Sequence, residues 1–243
     1  KNVKQESFVP RKKGAVKEAL KGIGGTVKEI FRYKQMFVFL IAYFFYIDGV
    51  NTIIHMSTSY GDTLGLDSTS MLLALLLVQV LGLPFALLYI KASEKFGARF
   101  MVGVGICVYM GVTIFGFFLR EVWQFWVMAI MVATSQGGIQ ALSRSMFGKM
   151  IPDKKRSGEF FGFYDIFGKF SAIMGPALVG WSSAIASNVA LNKMGLTRAT
   201  ASADVLAQVD TAAAPWGILS LLLIFFVGGG LYFFVLPRYL EKK

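Results

Sequence analysis

Polar side chains interrupt the apolar runs of this chain at spacings a helix can use. Asp48, Asn51 and His55 stand three and seven residues apart, on one helical face. Gln136, Gln140 and Arg144 follow one another at four-residue steps, as do Asp165 and Lys169. Gln79 stands alone in another run. A carboxylate at membrane depth is costly, so Asp48 is expected to face a cavity or a partner. A carboxyl withdrawn from water is also suited to taking up a proton. The structural alternative is a hydrogen bond to a neighbouring helix, with Gly49 allowing close approach. His55 titrates nearest neutrality among the side chains, but it lies towards the outer end of its run, where water reaches it. The amides of Gln79, Gln136 and Gln140 suit a polar solute, and they equally suit bridging two helices. Asp165 and Lys169, acid before base at four residues, form a natural intrahelical pair, structural or gating in role. Arg144 reads as a gate or a topology anchor rather than as a solute ligand.

Enzyme chemistry is not expected. His55 and Cys107 are the only residues of their kinds, so no disulfide framework or cysteine metal cluster can form. There is no phosphate-cradling glycine loop and no G-x-S-x-G. No cofactor and no metal are implied, and ATP is not the expected energy source.

The elements that would carry these side chains are membrane spans. Of 243 residues, 55% are hydrophobic and 16% charged, and mean hydropathy is +0.59. A soluble domain carries more charge and less apolar content, so the lipid bilayer is the expected solvent. Apolar runs of about 36–60, 68–90, 100–119, 122–142, 160–186 and 216–236 each approach the ~20 residues that cross a bilayer. The expected fold is an all-α membrane protein, a six-transmembrane-helix bundle over 36–237. Residues 187–215 form a longer polar segment, either an ordered cap or a loop, with Pro215 expected to open the sixth span.

The net charge of +11 would point to nucleic acid in a soluble protein. In this chain it has a topological reading, and no nucleic acid is expected. Six spans put both termini on one side. Only Arg120, Lys193 and Arg198 fall on the other, and Lys169 falls inside a span. That asymmetry predicts cytoplasmic termini. Residues 1–35 place Val16, Leu20, Ile23, Val27 and Ile30 at helical spacing among many lysines. They are expected to form a basic amphipathic cytoplasmic connector, on the membrane surface or solvated. Residues 238–243 form a basic cytoplasmic tail.

Two stretches carry a family resemblance. Lys91–Arg99 (KASEKFGAR) resembles the cytoplasmic loop motif of the major facilitator superfamily, G-x-x-x-D-[RK]-x-G-[RK]-[RK]. Glu94 stands at the acidic position, Lys95 at the first basic one, Gly97 at the second glycine and Arg99 at the last basic one. Ile90 replaces the first glycine and Ala98 a basic residue. Ala42–His55 (AYFFYIDGVNTIIH) together with Ser143–Pro176 (SRSMFGKMIPDKKRSGEFFGFYDIFGKFSAIMGP) resembles the Atg22-like branch of that superfamily. That branch holds bacterial members of unassigned substrate and fungal vacuolar amino-acid effluxers.

The resemblance implies spans seven to twelve of a twelve-span secondary transporter, with an N-terminal six-span half as partner. It implies alternating access around a small polar solute, suggests amino acids as the substrate class, and suggests a bacterial plasma membrane. Proton coupling through Asp48 is the accompanying expectation. Glu94 and Arg99 would contact the other half when the transporter faces outward. The aromatic residues Tyr43, Phe44 and Tyr46 would line the pathway. The alternative is a non-transporting six-span scaffold or assembly subunit that pairs with another chain.

Overall fold

A peptide group in hydrocarbon has no water to bond, so each span must satisfy its backbone internally, as a helix does. The computed structural model describes residues 29–240, and they fold accordingly. The helices are α1 (Lys34–Thr63), α2 (Ser68–Phe96), α3 (Ala98–Phe117), α4 (Val122–Met150), α5 (Ser157–Lys193) and α6 (Ala203–Gly230). A π-helical turn (Leu231–Val235) and a short α7 (Pro237–Leu240) follow. No strand occurs among the described residues. All six long helices are long and apolar enough to cross a membrane. The amphipathic connector expected over 1–35 lies, up to residue 28, outside the described residues, as do residues 241–243 of the tail.

The turns explain why the helices stop where they do. Asp67 caps α2 by accepting from the Ser70 N–H at 2.7 Å, a bond that holds its carboxyl below the usual carboxylate range. Gly97 alone separates α2 from α3 and adopts φ +88°, which glycine reaches without strain. It is the second glycine of the loop motif. Glu121 and Gln124 form a reciprocal capping box at the start of α4. Between α4 and α5, Arg156 donates to Glu29 at 2.6 Å and to Glu159 at 2.8 Å, tying the approach to α1 to this turn.

One expectation changes. The polar segment 187–215 is mostly helix, because α5 runs on to Lys193 and α6 begins at Ala203. Pro215 lies inside α6 instead of opening it. The polar side chains of this hairpin satisfy one another. Ser187 Oγ donates to Asp210 at 2.7 Å, and Arg198 donates to Asp210 at 2.6 Å and to Ser187 Oγ at 3.0 Å.

α1 packs against α5 and α6, α4 against α2 and α3, and α3 against α6. Exchanging α1 with α4, α2 with α5 and α3 with α6 maps these neighbours onto themselves. Members of each pair are three spans apart and so run in opposite directions. The neighbours follow the pattern of an inverted three-plus-three repeat, the arrangement that the resemblance implies. Along α1, Met36, Phe39, Leu40, Ala42, Tyr46, Ile47 and Val50 are all buried. On α2, Leu72, Leu76, Leu83 and Leu87 are exposed, as suits a helix facing lipid or another bundle. Lys91, Lys95, Arg99, Lys149 and Lys154 gather where α1 starts and α6 finishes, the basic end of the bundle.

α1 and α6 approach closely because Gly228 has no side chain. A Cβ there would stand 2.7 Å from the Tyr46 backbone N and 3.2 Å from the Ala42 carbonyl O, and backbone cannot yield as a side chain can. Gly228→Ala is therefore expected to destabilise the bundle by about 1–3 kcal/mol. Gly230→Ala, with nothing within 4 Å, is expected to be neutral or slightly stabilising. Thermal unfolding of both variants in detergent checks the contrast.

Candidate functional site

The polar positions of α1, α4 and α5 meet at one cleft of about 550 Å³. α1 contributes Tyr43, Ile47 and Asn51, α4 contributes Gly137, Gln140, Ala141 and Arg144, and α5 contributes Tyr164, Asp165, Gly168 and Lys169. Each set repeats at three- and four-residue steps, the interval that returns to one helical face. The cleft exists because α4 and α5 scarcely approach one another along their backbones, and Gly137, Ala141 and Gly168 leave its walls low.

Side chains join α4 to α5 across this gap at the basic end. Arg144 donates to Asp165 at 2.7 Å, with about half of each side chain exposed. The Arg144 guanidinium lies 4.8 Å from the Phe161 ring centre and 5.8 Å from that of Tyr164. Tyr164 stacks on Tyr43 at 4.2 Å between ring centres, so α1 joins the same cluster. The spacing of Asp165 and Lys169 predicts an intrahelical pair, yet Asp165 turns to Arg144 on the neighbouring helix. Lys169 lines the cleft with no acidic side chain within ion-pair distance among the described residues. The planar guanidinium can face a carboxylate and an aromatic ring together, which a point-like ammonium cannot.

The stripe of Asp48, Asn51 and His55 divides. Asn51 faces the cleft and donates to the Gly168 carbonyl at 3.5 Å. Asp48 is fully buried and points to α5, where its Oδ1 lies beside Gly175. Neither of its oxygens has a hydrogen-bond partner. His55 is exposed and does not line the cleft. Residues three apart differ by ~60° around a helix, enough to fall on either side of the α1–α5 seam. Gln140 opens into the cleft, whereas Gln136 and Gln79 line a smaller cavity of about 50 Å³ between α1, α2 and α4. Gln136, Gln140 and Arg144 thus form one polar line along α4. Glu94 and Arg99 lie away from the cleft, at the α2–α3 turn, where the Arg99 carbonyl accepts from the Tyr232 hydroxyl at 2.9 Å.

Of the three aromatic residues expected in the pathway, Tyr43 lines the cleft. Tyr46 is fully buried and hydrogen-bonded to Ser143 Oγ at 2.7 Å, and Phe44 packs on Phe167. Tyr164 and Thr52 belong to these surroundings, although composition and spacing did not single them out. Tyr164 is next to Asp165, and Thr52 is one turn after Asp48, and those intervals are the only signals the sequence carries.

The comparisons with known proteins agree with the bundle. The family model for vacuole effluxer Atg22-like proteins matches residues 1–190. A Bacillus subtilis (strain 168) protein named as an uncharacterized MFS-type transporter, YxiO, is 50% identical over 179 residues, covering 74% of this chain and 42% of that protein. Autophagy-related protein 22-1 of Aspergillus niger is 25% identical over 178 residues, or 67% of this chain and 29% of that protein. Autophagy-related protein 22 of Coccidioides immitis is 25% identical over 174 residues, or 65% of this chain and 29% of that protein. The chain spans less than half the length of these relatives. No solved structure matches it.

A half-exposed ion pair contributes about 0.2–1 kcal/mol. Asp165→Ala is expected to lower stability by no more than that. Arg144→Ala is expected to cost more, because it also removes the guanidinium from two ring faces. The double variant should be less destabilised than the sum of the two. Thermal unfolding of the four proteins in detergent checks this.

Proposed function

The chain belongs to the vacuole effluxer Atg22-like family, a branch of the major facilitator superfamily, and on that premise we propose that it is half of a secondary transporter for a small polar solute, amino acids first among them. The observation that carries this reading is the cleft of about 550 Å³, lined by two amides, two tyrosines and three charged groups. A cleft of that kind suits a solute with both polar and apolar parts. A second six-span bundle would close it from the other side, and the solute would sit between the halves while they rock. The Atg22 relatives support solute export or import across a membrane, and the Bacillus relative supports a bacterial plasma membrane. The basic end would face the cytoplasm.

Roles follow from position. Arg144 and Asp165 would act as a gate, because they span the gap between α4 and α5 at the basic end of the cleft. Asn51, Gln140 and Lys169 would meet the solute, and Gln136 and Gln79 would continue the polar line away from the basic end. Glu94 and Arg99, on the α2–α3 turn, would contact the other half in the outward-facing state. Asp48 would carry the coupling cation. It is buried beside the cleft with no ion-pair partner among the described residues, and a proton is the simplest ion that a carboxylate can take up and release.

The test is uptake of a labelled amino-acid mixture into proteoliposomes holding the full-length gene product, with and without an imposed pH gradient. Gradient-stimulated uptake is expected. Asp48→Asn should reduce that stimulation by more than about tenfold, the scale of one 1.4 kcal/mol coupling step. If folded protein moves no amino acid and no other small polar solute in either direction, the scaffold reading replaces this one.

A further inference from the structure

The surroundings of Asp48 hold more oxygen than a proton site requires. Both carboxylate oxygens of Asp48 and the Thr52 hydroxyl are buried without a hydrogen-bond partner. The two side chains are 0% and 1% exposed. They converge on one place, the point where Gly175 of α5 lacks a side chain. A Cβ at Gly175 would collide with the Thr52 hydroxyl and stand 3.2 Å from Asp48 Oδ1.

Thr52 and Thr113 are the two buried threonines among the described residues, and their hydroxyls are used differently. Thr63 and Thr113 each donate to the carbonyl one turn earlier on their own helix, Thr63 at 2.9 Å and Thr113 at 2.8 Å. That is the common outlet for a threonine inside a helix. Thr52 does not take it, and its oxygen is directed to α5 instead.

α5 carries further oxygens within one turn of Gly175. Pro176 lies inside the helix and has no N–H, so the Ala172 carbonyl one turn earlier loses its helical donor. Ser171, one turn before Gly175 on the same face, is fully buried, and its proton goes to the Gly168 carbonyl at 2.8 Å. Its lone pairs stay available. Among the described residues, no ion pair reaches Asp48, and no cationic side chain balances its charge.

We propose that Asp48 and Thr52 of α1, with the oxygens of the Gly175–Pro176 turn of α5, form a binding site for a sodium ion. Hard monovalent cations take carboxylate, hydroxyl and carbonyl oxygens together, and a carbonyl released by a proline within a membrane helix can be one of them. One carboxylate balances one positive charge. No group of three or more His, Cys, Asp or Glu among the described residues could hold a metal ion, which argues against a divalent site. Sodium and the proton are alternative occupants of the same carboxylate. A proton neutralises it through one covalent bond, whereas sodium uses the surrounding oxygens as well. The ion would draw α1 and α5 together behind the cleft, so the solute wall formed by Asn51, Gly168 and Lys169 would feel its presence. That coupling rests on the transporter reading, but the binding of the ion does not.

The experiment reads binding without any solute. The purified full-length protein is unfolded thermally in detergent at fixed pH and ionic strength, in sodium, lithium, potassium or N-methylglucamine chloride. A saturable rise in Tm with sodium, shared by lithium and absent with potassium, is expected. Thr52→Val keeps the shape of the side chain and removes the oxygen. It should weaken the apparent sodium affinity at least tenfold, while Thr52→Ser retains it. Asp48→Asn should abolish the response. Binding of radioactive sodium to the same proteins provides a second readout for any variant with lowered stability. A folded protein with no sodium-specific shift and no sodium binding would overturn the proposal, as would a response that survives in Thr52→Val. A positive result in a protein that transports nothing would keep the ion site and remove the transporter reading.

Discussion

Tyr46 and Asp48 stand two residues apart on α1, both fully buried, and only Tyr46 has a hydrogen-bond partner. In hydrocarbon the alternative to a partner is a polar atom facing carbon, at a cost of several kcal/mol. α1 therefore cannot be replaced by a merely apolar helix of equal length. Its polar atoms choose its neighbours. Tyr46 reaches Ser143 on α4, Asn51 reaches Gly168 on α5, and Tyr60 donates to the Gly116 carbonyl on α3 at 2.8 Å. These bonds set the rotation of α1 in the bundle, and the rotation determines which side chains face the cleft.

The packing around α1 is uneven, and the unevenness has a functional reading. Towards α6 the backbones nearly touch at Gly228, a contact that leaves little freedom to move. Towards the cleft, α4 and α5 are joined by Arg144, Asp165 and a cluster of rings. Side-chain links of this kind can be broken and remade at lower cost than a backbone contact. A bundle that is rigid on one flank and joined by side chains on the other can alter one face without unfolding. At the far end, the Arg198–Asp210–Ser187 network closes the α5–α6 hairpin independently of the cleft.

Much of the architecture was legible because hydropathy and charge act on whole segments. The six spans, the α2–α3 turn at Gly97 and the collection of lysines at one end all follow from sums over many residues, which tolerate local error. The hairpin of α5 and α6 was not legible. Residues 187–215 are polar enough to read as a segment between spans, but Ser187 and Asp210 satisfy each other across two helices that hydropathy cannot pair. Pro215 signalled a helix start by local rule, although a proline inside a membrane helix is tolerated where neighbours compensate. The stripe on α1 failed for a related reason. Periodicity placed Asp48, Asn51 and His55 on one face, but a face is wide, and a seam between neighbouring helices can run through it.

By itself the sequence determined the solvent, the number of spans, their alternation and the end at which positive charge collects, because each depends on composition and length. It also indicated which polar groups lie at membrane depth. Only the tertiary structure decided what those groups meet. Asp165 pairs with Arg144 instead of Lys169, because a 2.7 Å contact from Arg144 Nη1 on the neighbouring helix prevails over a favourable spacing within one helix. Asp48 faces Gly175, more than a hundred positions further along the chain. Side-chain partners depend on the relative rotation of whole helices, and no local pattern in a single segment carries that angle.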